Sequence, residues 1–163
     1  MSRLRPLWAC LSGLLVAGAL LACADLSTVI VAPSPGIVLP AQFHWHTVNP
    51  GHQDPLALPT TAQRPGPTIT VPLTHESGVG APLYAANALG VAGAAGQQVM
   101  ATEIARLTVA GWQALFTPTV TGSFPQYVLY TTLRSGAHYC FVEFSASALT
   151  RQEASQQLDV YHN

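Results

Sequence analysis

The sequence predicts an α+β protein: a small antiparallel sheet centred on a C-terminal β-hairpin with helices packed on one face, preceded by a signal peptide and a Pro-rich extended segment. Three observations predict it. Two β-rich runs, 126–133 and 137–145, flank Arg134-Ser135-Gly136, a turn signal. Apolar residues recur at helical spacing over 97–107, and again behind Thr150-Arg-Gln-Glu153, which reads as a capping box. Ten prolines between Pro33 and Pro82 keep the N-terminal half out of long helices, because proline lacks a backbone donor and pushes its predecessor out of the helical region.

The start of the chain is an address. Arg3 and Arg5 form a short basic region, and from Leu7 to Ala22 no charge interrupts a run rich in Leu, Ala, Val and Gly. Basic start, apolar middle and small-residue end make the secretory pattern. The run is shorter than the roughly 20 residues a membrane-spanning helix needs. Its exit, Leu20-Leu21-Ala22-Cys23, resembles the lipobox of bacterial lipoproteins, although Leu21 is not the favoured residue at its position. The resemblance covers the first 23 residues and implies that Cys23 receives a lipid and becomes the new N-terminus. It implies a membrane partner through that anchor, and Ala24, where an Asp would signal inner-membrane retention, leans towards the outer membrane. The competing cleavage uses Ala22-Cys23-Ala24 and releases a soluble secreted or periplasmic protein beginning at Asp25.

This division gives a leader over 1–22, a Pro-rich tether and irregular segment over 23–66, and a small domain over 67–163. Cys10 leaves with the leader, so an acylated Cys23 would leave Cys140 as the one thiol of the mature protein and allow no internal disulfide. The fold must then hold by its core. Charged residues are only 8% of the chain, with six Arg and no Lys and a formal charge of -1, which supplies no basic face for phosphates. Nucleic-acid binding is disfavoured.

Along the mature part, Thr68–Leu73 reads as a strand that tolerates Pro72 at an edge. The Ala/Gly-rich stretch 79–96 reads as a helix of small residues or a packed loop, and it lacks the context and the Lys of a phosphate loop. Val99, Met100, Ile104 and Leu107 line one side of a helix over 97–107, followed by a strand over 108–116. In the hairpin, Ser135-Gly136 as the central pair places Tyr127, Leu129, Thr131 and Leu133 on one face with His138, Cys140, Val142 and Phe144. That face points inward. A final helix over 150–161 packs through Ala154, Leu158 and Tyr161.

Chemistry-bearing patterns are few. His44, His46, His52 and Asp54 fall within eleven residues, and a turn at Asn49-Pro50-Gly51 can return His52 to the His-x-His pair. Those four are a ligand set for zinc or copper, against the plainer reading of polar loop residues. His138 and Cys140 share a strand face, but residues two apart on a strand stand nearly 7 Å apart, too far for a base to activate a thiol. Cys140 reads as a buried structural thiol. Tyr127, Tyr130, Tyr139 and Phe141 are an aromatic set suited to a core or to ligand contact. The carboxylates are scattered, and no nucleophile elbow or zinc-protease motif occurs. The expected function is a non-catalytic envelope lipoprotein acting through binding or structure, with an envelope protein as a possible partner. The alternative is a periplasmic metal-binding protein using His44, His46, His52 and Asp54.

Overall fold

The computed structural model describes residues 35–122 and 124–163; the expected leader and the expected acylation site, Cys23, lie outside the described residues. The elements follow in the order β1 (Phe43–Thr47), β2 (Asp54–Pro59), β3 (Thr68–Gly80), β4 (Leu83–Tyr84), α1 (Ala88–Val109), β5 (Gln113–Ala114), β6 (Thr119–Thr121), β7 (Gln126–Ser135), β8 (His138–Ala148) and β9 (Glu153–His162). The expected small sheet with several helices on one face is thereby corrected. Of the described residues 48% are strand and 17% helix, and the architecture is a nine-stranded antiparallel sheet with one helix.

The sheet runs β1-β3-β9-β8-β7-β5, with β4 on β9, β6 on β7, and β2 on the first half of β3. Two misread elements account for the difference. The 150–161 segment is β9, paired with β3 on one side and β8 on the other. Ala154 and Leu158 fit helical spacing, but they fit period two equally well, and Ala154, Leu158 and Val160 all bury on one face. The capping chemistry is real but serves a turn: Thr150 Oγ1 accepts from the Gln152 amide at 3.1 Å, and the Leu149 and Thr150 amides donate to Glu153 O. The second source is the Pro-rich stretch, which supplies β1 and β2. Pro55 and Pro72 face each other across β2 and β3, where missing donors cost nothing if they point to the open edges.

α1 is longer than its predicted core and takes in the Ala/Gly stretch. Asn87 caps it, its side chain accepting from the Gly90 amide. Gly111, at φ +100°, ends it: the Gly111 amide donates to Thr108 O and the Trp112 amide to Leu107 O. This is the Schellman arrangement, with its contact between the buried Leu107 and Trp112. The helix end and the turn that closes it therefore take up 108–112 of the strand expected over 108–116, leaving only β5.

α1 lies on β7, β8 and β9. Ala88, Ala92, Gly93, Gly96, Met100, Glu103 and Leu107 are its buried residues. They meet Leu129, Leu133, Cys140, Val142, Phe144, Ala146, Leu158 and Val160 of the sheet's inner face. Each large apolar side chain fully buried there contributes roughly 1.5–3 kcal/mol relative to exposure. Small helix residues let the backbones approach: a Cβ on Gly96 would meet Phe144 Cε1 at 2.2 Å. Cys140 is free and fully buried in this layer. Burial, with the Glu103 carboxylate adding to it, holds its thiol well above the ordinary range.

The outer face is covered differently. β2 and the first half of β3 form an arm folded over it, and Leu58 and Leu73 bury against Tyr130 and Phe141. Thr132 Oγ1 donates to Pro59 O at 2.7 Å, tying the arm to β7. Asn49, 3% exposed, holds the corner where β3 leaves β2 and enters the main sheet. Its Nδ2 donates to Leu73 O at 2.9 Å, and its Oδ1 accepts from the His75 amide at 2.7 Å.

Candidate functional site

Beyond the arm, the outer face carries a polar row. Ser77, Asp159, Glu143 and Tyr130 stand in register across β3, β9, β8 and β7. The adjoining row is His75, Tyr161, Phe141 and Thr132. Strand alternation puts all eight side chains on the same face.

Asp159 is almost fully enclosed, at 5% exposure. His75 Nε2 lies 2.9 Å from its Oδ1, and Gln157 Nε2 donates to its Oδ2 at 2.8 Å. A carboxylate there can only accept, so the imidazole presents Nε2–H. The His75 ring is fixed by stacking on Tyr161, with centroids 4.0 Å apart and planes 14° from parallel. Aromatic contacts continue from Tyr161 through Phe141 and Tyr130 to Phe116. The planar Arg64 cation sits over the Tyr130 ring, 3.9 Å from its centroid.

Glu143 and Asp159 are direct cross-strand partners, an arrangement that repels when both are charged. Burial first, then Asp159, push the Glu143 carboxyl above the usual carboxylate range, and Arg64 and His75 pull it back only in part. Burial and the same two carboxylates push the Tyr161 phenol up to about 12. The Tyr130 hydroxyl is buried with no hydrogen-bond partner among the described residues.

The second feature is a cleft of about 720 Å³ at the amino end of α1. Leu89, Gly90, Gly93, Ala94 and Gln97 form its helical wall, and Phe124, Tyr127, Thr150 and Arg151 close the sheet end. Gln97 Nε2 donates to the Tyr127 hydroxyl at 3.3 Å. Phe124 is 77% exposed at the rim.

The sequence-predicted metal ligands do not converge. His44 and His46 lie exposed on β1. His52 reaches only Asp54, at 3.4 Å, while Asp54 also accepts from Asn49 at 3.2 Å. Among the described residues no three His, Cys, Asp or Glu side chains are gathered to hold a metal. The aromatic set divides: Tyr130, Tyr139 and Phe141 belong to the outer cluster, and Tyr127 packs under α1 beside the cleft. His75, Asp159, Glu143 and Arg64 come from four distant stretches and form no pattern along the chain. Alternation in Gln157-x-Asp159-x-Tyr161 was the one available signal, masked by reading that stretch as helix. No protein-family model, curated protein or solved structure matches the chain.

Proposed function

We propose that the chain is an exported, lipid-anchored envelope protein that binds a ligand in the cleft at the amino end of α1 and does not transform it. One observation carries the binding reading: among the described residues the cleft wall holds amides, hydroxyls, an aromatic rim and Arg151, but no carboxylate, imidazole or thiol. Such a lining can orient a small molecule, and its Thr150 and Tyr127 hydroxyls have no carboxylate or imidazole of the described lining beside them to act as a base. The anchor rests on the Leu20–Cys23 sequence at the end of the apolar run.

Two measurements test the proposal. Mass spectrometry of the N-terminal peptide is expected to find an acylated Cys23, and Cys23→Ser should move the protein out of the membrane fraction. A peptide starting at unmodified Asp25 would overturn the anchor. For the cleft, native mass spectrometry of protein taken from its own envelope should show a bound small molecule. Ala94→Trp, which fills the cleft from an exposed helix position, should abolish it while leaving the melting temperature intact. Equal occupancy of wild type and variant would remove the cleft from the reading.

A further inference from the structure

The outer row poses a problem that the chain solves with a single side chain. Two carboxylates stand directly opposite each other, and like charges in that position destabilise a sheet unless a cation lies between or above them. His75 serves Asp159. On the Glu143 side, Arg64 at the tip of the loop joining β2 to β3 caps the face of Tyr130, the direct cross-strand neighbour of Glu143, and its charge favours the ionised Glu143 carboxylate.

The geometry suits a guanidinium group more than an ammonium. A planar, weakly hydrated cation can lie flat on an aromatic ring while its edge donors point to a carboxylate; a compact ammonium gains less from the ring face. Tyr130 is 1% exposed, packed among Leu58, Leu73 and Phe141 with Arg64 over its ring, so an outside group reaches that ring face only if the loop lifts. The loop is closed at its neck, where the Thr60 amide and Oγ1 both donate to Pro67 O at 3.0 Å. Arg64 itself is exposed away from the ring. A six-residue tip on a pinned neck can lift without unfolding the arm, whose base stays tied through Thr132.

We propose that the Tyr130 ring and its cross-strand neighbour Glu143 form a guanidinium-binding site on the outer face, that Arg64 occupies it in this structure, and that an external guanidinium group takes its place when the 60–67 loop lifts. The source is either a free small guanidine or an arginine side chain of a protein partner. The site is independent of both the anchor and the cleft. Because the chain carries its own occupant, the apparent affinity of an outside ligand is reduced by the fraction of molecules with the loop lifted.

The test uses the mature full-length protein and its Arg64→Ala variant. Each is titrated with methylguanidine, N-acetyl-arginine amide and N-acetyl-lysine amide, followed by NMR shifts of the Tyr130 ring. Arg64→Ala should bind methylguanidine at least about ten-fold more tightly than wild type, and the arginine amide about ten-fold more tightly than the lysine amide. Glu143→Gln added to Arg64→Ala should lose about ten-fold again. Preference for the arginine amide over methylguanidine indicates a peptide source, and the reverse a small molecule. Equal binding by wild type and Arg64→Ala, or equal binding of arginine and lysine amides, would overturn the proposal and leave Arg64 as a loop tether. If Arg64→Ala does not fold, Arg64→Gln, which keeps a polar side chain of similar reach, carries the same titration.

Discussion

Gly96 marks the closest approach of α1 to the sheet. An added methyl would meet the Phe144 ring edge at 2.2 Å, in a layer where Phe144 is fully buried and cannot swing aside. Gly96→Ala should therefore cost roughly 1–3 kcal/mol of overpacking, read from thermal or denaturant melts. Phe144→Leu in the same chain should return part of that loss. Gly93→Ala should cost less, since its methyl would stand 3.2 Å from Tyr127, itself only part-buried. Cys140→Ser places a hydroxyl in the same dry layer and should cost about 1–3 kcal/mol where that hydroxyl goes unpaired. Glu143 behaves differently because its effect depends on pH. Its raised folded pKa means the folded chain holds this proton more tightly than the unfolded chain. The associated stabilisation is complete below the ordinary carboxyl range and is lost as pH rises through the raised value. Glu143→Gln should accordingly lose less melting temperature than wild type as pH rises from the ordinary carboxyl range through the raised value.

The β7–β8 hairpin was legible in the sequence almost whole, and its one error is instructive. The turn is centred on Gly136-Ala137, not Ser135-Gly136, so Leu133 faces Cys140 and Ser135 faces His138. The register moved by two residues, and because side chains alternate with period two every inward residue stayed inward. Gly136 adopts φ +59° and no other residue of the turn is positive, as expected of a type II′ turn with glycine first. Gly136→Val should thus destabilise the protein by more than about 1 kcal/mol, by backbone strain alone, since nothing lies within 4 Å of the new Cβ. The helix was legible only in its second half: Val99, Met100, Ile104 and Leu107 announce it, whereas Ala88, Ala92, Gly93 and Gly96 carry too little hydrophobicity to show a face. β9 was illegible because its identity comes from two neighbours, β3 and β8, and not from its own residues. The same reason hid the outer row. Glu143, Asp159, His75 and Arg64 become neighbours only once β9 is placed as a strand between β3 and β8, whereas the His44–Asp54 run is dense in sequence and dispersed in space.

At the scale of the whole molecule, β9 joins two halves that otherwise share few ladders. β7 and β8 pair through a tight turn, and β8 and β9 through a short one, so the C-terminal meander is local in sequence. Within the sheet, β3, with β1 and β2 attached, joins that meander by pairing with β9; the His75–Asp159 contact alone spans 84 positions. A chain stopped after Ala148 should consequently show no cooperative melt, since β3 would lose the strand that joins it to β8 and α1 would lose Ala154, Leu158 and Val160 from its floor. Closing so long a loop costs entropy before any contact repays it, which makes this the slow step of folding. While residues 153–162 are still being synthesised, β3 can pair with β1 and β2 but has no sheet neighbour to join it to β7 and β8. If the chain is exported as proposed, that order of strands would keep its sheet incomplete until those ten residues have been made.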